Sequence, residues 1–131
     1  MCLSSKWIFP RKAKEDIVVY KEVYCDKEDN IYSPYMFTKI GNIKNLPISF
    51  KAKYLDIEER IEWILFRNLN SIGAGYIHSY SSPFSTHYSR HTCIYKCIIP
   101  KGTKYHKSID DTQYCSKKLI IIEKILTNEI Y

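Results

Sequence analysis

The fold is decided by the stretch Thr92-Cys-Ile-Tyr-Lys-Cys-Ile-Ile-Pro-Lys-Gly-Thr-Lys-Tyr105, in which β-branched and aromatic residues run up to a Pro-Lys-Gly turn. The alternation of side chains in its first half predicts a strand over residues 92–99. Similar segments lie on either side of it, namely Gly75-Tyr-Ile-His-Ser-Tyr80 and Lys118-Leu-Ile-Ile-Ile-Glu-Lys-Ile125. We expect the three segments to be strands of one small sheet.

Two further elements are predicted before this run. The segment Asp16-Ile-Val-Val-Tyr-Lys-Glu-Val-Tyr24 is rich in β-branched and aromatic residues and predicts a strand, and the charged turn that follows it can start a hairpin with residues 32–40. A helix is predicted from about residue 56 to residue 69. Asp56 can cap its N-terminus with Glu59 three residues on, and apolar residues recur along one side.

These elements predict an α+β fold. A chain of 131 residues is the size of one ordinary domain. We therefore expect a mixed or antiparallel sheet of four to six strands, with one main helix at about 56–69 packed on it. Residues 1–15 are expected to form a basic N-terminal arm packed on the surface, and residues 16–131 a single α+β domain.

The net charge and the cysteine content indicate what kind of partner the protein has and where it is located. The net charge of +6 favours an anionic partner, because a positive field raises the local concentration of phosphate groups or acidic surfaces. The five cysteines are an odd set without the spacing of a disulfide framework, which favours reduced thiols and a cytoplasmic location. No stretch approaches the roughly 18 apolar residues of a membrane span, so we predict no membrane partner.

A cluster of basic and hydroxyl side chains on the last three strands is the candidate ligand-binding site. Histidine, hydroxyls and lysines are the groups that a phosphate-bearing ligand needs, and Pro-Lys-Gly-Thr-Lys offers backbone N–H groups at a turn. A basic turn held in solvent explains the same residues equally well. The predicted ligand-binding residues are His78, Ser79, Tyr80, Lys96, Lys101, Thr103 and Lys104.

Other chemistry finds less support in the sequence. His78, His87, His91, Cys93 and Cys97 match no zinc module in their spacing, so we predict no metal, and no other motif implies a cofactor. Neither a cysteine nucleophile nor a pair of carboxylates is singled out. The sequence therefore favours a binding protein over an enzyme.

Lys21 is a separate candidate, because it falls on the apolar face of the first predicted strand. The first reading is that its ammonium group reaches outward to solvent along its aliphatic stem. The alternative reading is that it points into a ligand cleft.

The chain resembles a set of small uncharacterised proteins encoded by Bacteroidetes-type bacteria and their phages, and the resemblance spans most of its length. If the protein is phage-encoded, this resemblance implies action in the host cytoplasm. The segments that carry it are Met1-Cys2, Asp16-Ile-Val-Val-Tyr-Lys21, Ser33-Pro-Tyr35, Gly75-Tyr-Ile-His-Ser-Tyr80, Tyr95-Lys-Cys-Ile-Ile-Pro-Lys-Gly-Thr-Lys-Tyr105 and Ser116-Lys-Lys-Leu-Ile-Ile-Ile-Glu123.

The order of strands and helix also resembles a reduced ADP-ribosyltransferase-type fold, in which separate strands supply a basic residue, a middle motif and a late glutamate. This resemblance implies Lys21, His78 and Glu123 as catalytic candidates. It supplies the first alternative function, an ADP-ribosyltransferase-like enzyme that acts on NAD.

We expect the protein to bind an anionic phosphorylated ligand, a nucleotide or a nucleotide-derived signal ahead of a nucleic acid. In a phage this would suit a counter-defence protein that sequesters a host signal. The second alternative is a structural or interaction protein whose tyrosines, twelve in number, form an interface in a homo-oligomer.

Overall fold

The structure is a computed structural model that describes residues 3–4, 6, 10–33, 39–51, 71–72, 77–83 and 92–127. Almost all regular structure in these residues is β-strand. The strands are β1 (Leu3–Ser4), β2 (Arg11–Lys12), β3 (Ile17–Cys25), β4 (Asn30–Tyr32), β5 (Lys39–Asn42), β6 (Ile48–Lys51), β7 (Ser71–Ile72), β8 (Ile77–Tyr80), β9 (Thr92–Ile99), β10 (Lys104–Lys107), β11 (Gln113–Ser116) and β12 (Lys118–Thr127). A short 3₁₀ helix covers Ile43–Asn45.

Ten of these strands form one antiparallel sheet within the described residues. Its path runs β2-β10-β11-β8-β3-β9-β12-β6, and a β4–β5 hairpin branches from β3. The remaining strands, β1 and β7, pair with each other.

The α+β prediction is wrong, because the described chain is nearly all β and its sheet has ten strands instead of four to six. The main helix expected at about 56–69 lies outside the described residues. Strand number was underestimated because the polar stretch after Gly102 also pairs, as β10 and β11. Polar residues such as Lys104, His106 and Gln113 interrupt these two strands, so their side chains do not alternate clearly enough to predict a strand.

β3 and β9 form the centre of the sheet. Ile17 pairs with Ile99 and the register continues without a shift to Tyr24 opposite Thr92. The bounds of β9 confirm the strand predicted over 92–99. Because side chains alternate, one face of this pair carries the core, to which β12 adds Leu119 and Ile121. The buried core residues are Ala13, Val19, Val23, Ile31, Ile77, Tyr95, Cys97, Ile99, Tyr114, Leu119 and Ile121.

Lys21 lies inside this core at the point where the sheet splits. β3 pairs with β8 only at Tyr20 and Tyr80, and further along β3 the neighbour on that side is β4. Lys21 is 5% exposed, and its Nζ donates a hydrogen bond of 2.9 Å to the backbone carbonyl of His78. Its ammonium group therefore does not reach outward to solvent, as the first reading expected, but bridges two strands that have parted.

Candidate anion-binding site

One end of the large sheet collects half of the basic residues of the described chain. β3 and β12 begin there, β6 and β9 end there, and the turn between β9 and β10 closes over them. We call this region the basic end. In the described chain it holds eight basic residues against two acidic ones, Glu15 and Asp16. The basic residues are Arg11, Lys12, Lys14, Lys51, Lys101, Lys104, Lys117 and Lys118.

Backbone hydrogen bonds hold the basic end in one frame. Ala13 N–H donates to the carbonyl of Thr103 at 2.9 Å, and Gly102 N–H donates to the carbonyl of Ala13 at 2.8 Å. The N–H of Lys101 donates to Oδ1 of Asp16 at 2.8 Å. Gly102 has a φ of 86°, a conformation that glycine adopts without strain. The turn is therefore fixed against the segment that follows β2.

Like charges are placed side by side in this frame. Lys12 is the direct cross-strand partner of Lys104, and Lys51 is the direct partner of Lys118. Directly opposed like charges destabilise a sheet, and Cβ atoms in such pairs lie about 5 Å apart. An anion between the two ammonium groups would remove the repulsion, which makes each pair a favourable place for phosphate.

An open groove of about 750 Å³ runs along this end. Tyr105 and Ile17 supply an apolar side to it, and its charged lining residues are three basic ones and one acidic one. Its lining residues are Arg11, Lys12, Lys14, Glu15, Ile17 and Tyr105. The combination of an aromatic ring and several cations suits a ligand that has both a ring system and phosphates.

The lysines of the groove and its adjoining turn have charge available for a ligand. Lys12, Lys14, Lys101 and Lys104 are all exposed and form no ion pair with any described residue. Five exposed acids lie away from the basic end, in the β3–β4 and β10–β11 turns. They are Asp26, Glu28, Asp29, Asp110 and Asp111. The nine residues of β3 place the β3–β4 turn about 27 Å from the basic end. The four residues of β10 place the β10–β11 turn about 10 Å from Lys104, and there Lys6 and Lys107 form ion pairs with Asp111.

The seven predicted ligand-binding residues fall at three places. Lys101, Thr103 and Lys104 lie together at the basic end. Lys96 lies on the face of β9 opposite the core, with Tyr20 and Glu123 as its cross-strand partners. It is separated from Pro100 by four residue steps, or about 13 Å.

The other three predicted residues, His78, Ser79 and Tyr80, lie on β8 and are mostly enclosed. Ser79 is 1% exposed and Tyr80 is 3% exposed, whereas His78 is half-buried. Burial, and next the nearby carboxylate of Glu22, raise the pKa of Tyr80 to about 12, so its hydroxyl stays protonated. These side chains do not join the lysines of the basic end.

The three catalytic candidates implied by the ADP-ribosyltransferase resemblance do not share a cleft in the described residues. Lys21 points into the core, whereas Glu123 is exposed on the other face of the sheet. Three strand spacings, about 14 Å, separate the backbone of β8 from that of β12 along the row that joins Tyr80 to Glu123. His78 lies two residues beyond Tyr80 on β8. Burial lowers the pKa of Lys21 to about 8.

A row of imidazole and thiol groups crosses β8, β11 and β10. Cys115 is the direct partner of both His78 and His106, so the three side chains share one face. Cys115 and His106 are fully buried. No group of three or more histidine, cysteine or acidic side chains is placed to hold a metal ion in the part of the chain that the structure describes. His87 and His91 lie outside that part.

Sequence reasoning missed the contribution of the N-terminal segment. Arg11, Lys12 and Lys14 were assigned to the N-terminal arm, and the predicted ligand-binding lysines were treated as separate from them. The antiparallel pairing of β2 with β10 brings the two series together. The signal available in the sequence was the short Arg-Lys-Ala-Lys run before the first long strand, which has too few residues to show a strand period.

Comparison with known proteins gave no further guide: no family model, curated protein or solved structure matches this chain. No helix among the described residues is long and apolar enough to cross a membrane.

Proposed function

We propose that the protein binds a phosphate-bearing ligand, a nucleotide or nucleotide-derived signal, at the basic end. The observation that carries this proposal is the packing of the turn at 100–103 against Ala13, which assembles two separate basic segments beside one groove. Lys12, Lys101 and Lys104 supply charge, and Tyr105 supplies a ring surface. Affinity would come from ammonium groups that neutralise phosphate oxygens.

A nucleic acid is the second candidate. The open groove and the basic residues that extend beyond it support this candidate. The groove is open, and the basic residues continue past it from Lys104 through Lys117 to Lys118 and Lys51. A positive track with an aromatic side chain is the usual arrangement for binding a single strand without sequence preference. The two candidates share the same phosphate chemistry and differ in how much of the track the ligand covers.

Native mass spectrometry of the purified full chain, together with a thermal-shift screen, tests the proposal. The ligands are NAD, ADP-ribose, cyclic nucleotides and short oligonucleotides. We expect at least one to be retained intact and to raise the melting temperature. A nucleotide ligand should bind with modest dependence on salt, whereas an oligonucleotide should lose affinity steeply as salt rises.

Two triple variants locate the site. Replacing Lys12, Lys101 and Lys104 with glutamine should weaken binding by about 100-fold, since each residue contributes a charge-assisted contact. The matched control replaces three exposed lysines away from the basic end, Lys27, Lys39 and Lys44, and removes the same net charge. Equal loss of binding in both variants would show a general charge effect and would contradict a site at the basic end.

A further inference from the structure

Cys25 and Cys93 form a close pair of thiols at the end of the sheet away from the basic end. Their sulfur atoms lie 3.6 Å apart, and the thiol of Cys25 donates to the sulfur of Cys93. Val23 is the direct cross-strand partner of Cys93, so Cys25 is its diagonal neighbour on the same face. The hydroxyl oxygen of Tyr95 lies 4.0 Å from the sulfur of Cys25.

This arrangement is close to the geometry of a disulfide. The two sulfurs must approach by about 1.5 Å to reach a bonded separation. Because diagonal cross-strand neighbours have backbones about 7–8 Å apart, the end of β3 and the start of β9 must also move closer together as the bond forms. Both residues are half-buried, so a small reagent can reach them. Cys97 and Cys115 are fully buried, which leaves Cys25 and Cys93 as the accessible thiols in the described chain.

We propose that Cys25 and Cys93 are a reversible modification site, a dithiol that low-molecular-weight disulfides oxidise to an intramolecular disulfide. The site is independent of the proposed anion binding. Its substrate class is a small disulfide of the glutathione type, and its product ties the end of β3 to the start of β9.

The reaction runs in two exchange steps. Cys93 gives up its proton and attacks one sulfur of the small disulfide, forms a mixed disulfide and releases one small thiol. Cys25 then attacks the Cys93 sulfur of the mixed disulfide, and the second small thiol leaves. Two electrons pass from the protein to the reagent, whose two thiols carry away the two protons of the cysteines.

The order of the steps follows from the surroundings of Cys25. Burial, and next the neighbouring Cys93, raise the pKa of Cys25 to about 11, so Cys25 holds its proton at neutral pH. Cys25 is thus the slower of the two thiols to react with the small disulfide. It becomes competitive once the mixed disulfide is fixed beside it, because attack within one molecule has a high effective concentration.

The test treats reduced full-length protein with oxidised glutathione at neutral pH and maps its peptides without reduction. We expect Cys25 and Cys93 to lose their thiols, neither of them to retain glutathione, and one cross-linked peptide to join them. The oxidised protein should unfold at a higher urea concentration, because the link closes a loop between residues 68 positions apart. Dithiothreitol should reverse both changes.

Single variants sharpen the outcome. Cys25→Ser should trap glutathione on Cys93 as a stable mixed disulfide, while the matched control Cys2→Ser should still form the Cys25–Cys93 link. Retention of glutathione on Cys25 or Cys93 of the wild-type protein, a link between either of them and another cysteine, or five unreacted thiols would overturn the proposal. The peptide map of the wild-type protein decides the question even if Cys25→Ser does not fold.

Discussion

At the scale of single residues, Lys21 is the side chain most at odds with its surroundings. Its neighbours on the same face of β3 are Val19 and Val23, both fully buried, and its ammonium group has one carbonyl as its hydrogen-bond partner. A buried amine prefers to be neutral, because removal from water penalises its charged form. Burial accordingly lowers the pKa of Lys21 from 10.5 to about 8.

This shift predicts a specific dependence of stability on pH. Between about pH 8 and pH 10.5 the unfolded chain keeps the Lys21 proton while the folded chain loses it, so stability rises with pH in this window. Relative to Lys21→Met, the wild-type protein should gain about 3 kcal/mol across it. Urea unfolding of both proteins at several pH values measures the difference, and the alkaline titration of thiols and tyrosines that do not interact with Lys21 cancels in the comparison. A difference that does not change with pH would show that the ammonium group is solvated.

In contrast to Lys21, Asp110 at the β10–β11 turn is stabilised in its charged form. Oδ1 of Asp110 accepts hydrogen bonds from the hydroxyl of Ser108 at 2.6 Å and from the hydroxyl and N–H of Thr112 at 2.7 and 3.1 Å. These bonds, chiefly that from Ser108, lower the pKa of Asp110 from 3.8 to about 2. Its contribution to stability is present above pH 3.8 and is lost as the pH falls toward 2.

We therefore expect Asp110→Asn to be less stable than the wild-type protein at neutral pH and to approach it in acid. Chemical unfolding between pH 2 and pH 6 checks this. Asp16→Asn is a useful comparison, because Asp16 accepts one backbone hydrogen bond from Lys101 at the other end of the sheet. If Asp110→Asn and the wild-type protein lose stability in parallel as the pH falls, the turn does not depend on the ionised carboxylate.

At the scale of elements, the β9–β10 turn decides whether the basic end forms. Gly102 has a φ of 86°, and its N–H donates a hydrogen bond to the carbonyl of Ala13. The turn therefore needs a residue at position 102 that adopts a left-handed backbone conformation and has a backbone N–H. A side chain at Gly102 would meet no atom within 4 Å, which means that its cost would come from backbone conformation alone. The turn can therefore be perturbed without disturbing the core.

Gly102→Ala should lower the free energy of unfolding by about 1 kcal/mol, the penalty of a left-handed conformation for a residue with a Cβ atom. It should also weaken ligand binding, because the turn positions Lys101 and Lys104. Urea unfolding and ligand titration measure the two effects. Unchanged stability would contradict the conformation described for Gly102.

The sequence predicted the strands with strong side-chain alternation and missed those without it. The strand at 92–99 was located correctly, and the expected strand at 16–24 corresponds to β3, Ile17–Cys25. β10 and β11 were not predicted, because polar residues such as Lys104, His106 and Gln113 are typical of loops. In the structure, pairing with neighbouring strands satisfies the backbone hydrogen bonds of both strands. The site was only partly predictable for the same reason, since β2 contributes through its pairing with β10.

At the scale of the whole molecule, the chain separates its charges. Antiparallel strands alternate in direction. The β9–β10 turn therefore lies beside the residues that flank β3, β6 and β12, although these segments are far apart in sequence. The basic end and the acidic turns result from this topology. The net charge of +6 indicated an anionic partner, but it did not indicate where on the protein this partner binds.

Charge separation predicts how the protein docks. An anion should approach the basic end and be repelled by the turn that holds Asp26, Glu28 and Asp29. Replacing Glu28 with glutamine should leave affinity nearly unchanged, because this carboxylate lies about 27 Å from the groove and salt screens it. Titration of the same ligand against Glu28→Gln and Lys104→Gln measures the contrast, and a larger loss in Glu28→Gln would contradict the assigned position.

The most direct measurement is a titration of the isotope-labelled protein with inorganic pyrophosphate, followed through its backbone amide resonances. We expect the amide resonances of residues 11–16 and 101–104 to shift together and saturate, while those of His78, Ser79, Tyr80 and Lys96 stay in place. Shifts centred on β8 or on Lys96, or no saturable shift at any amide, would contradict a phosphate site at the basic end.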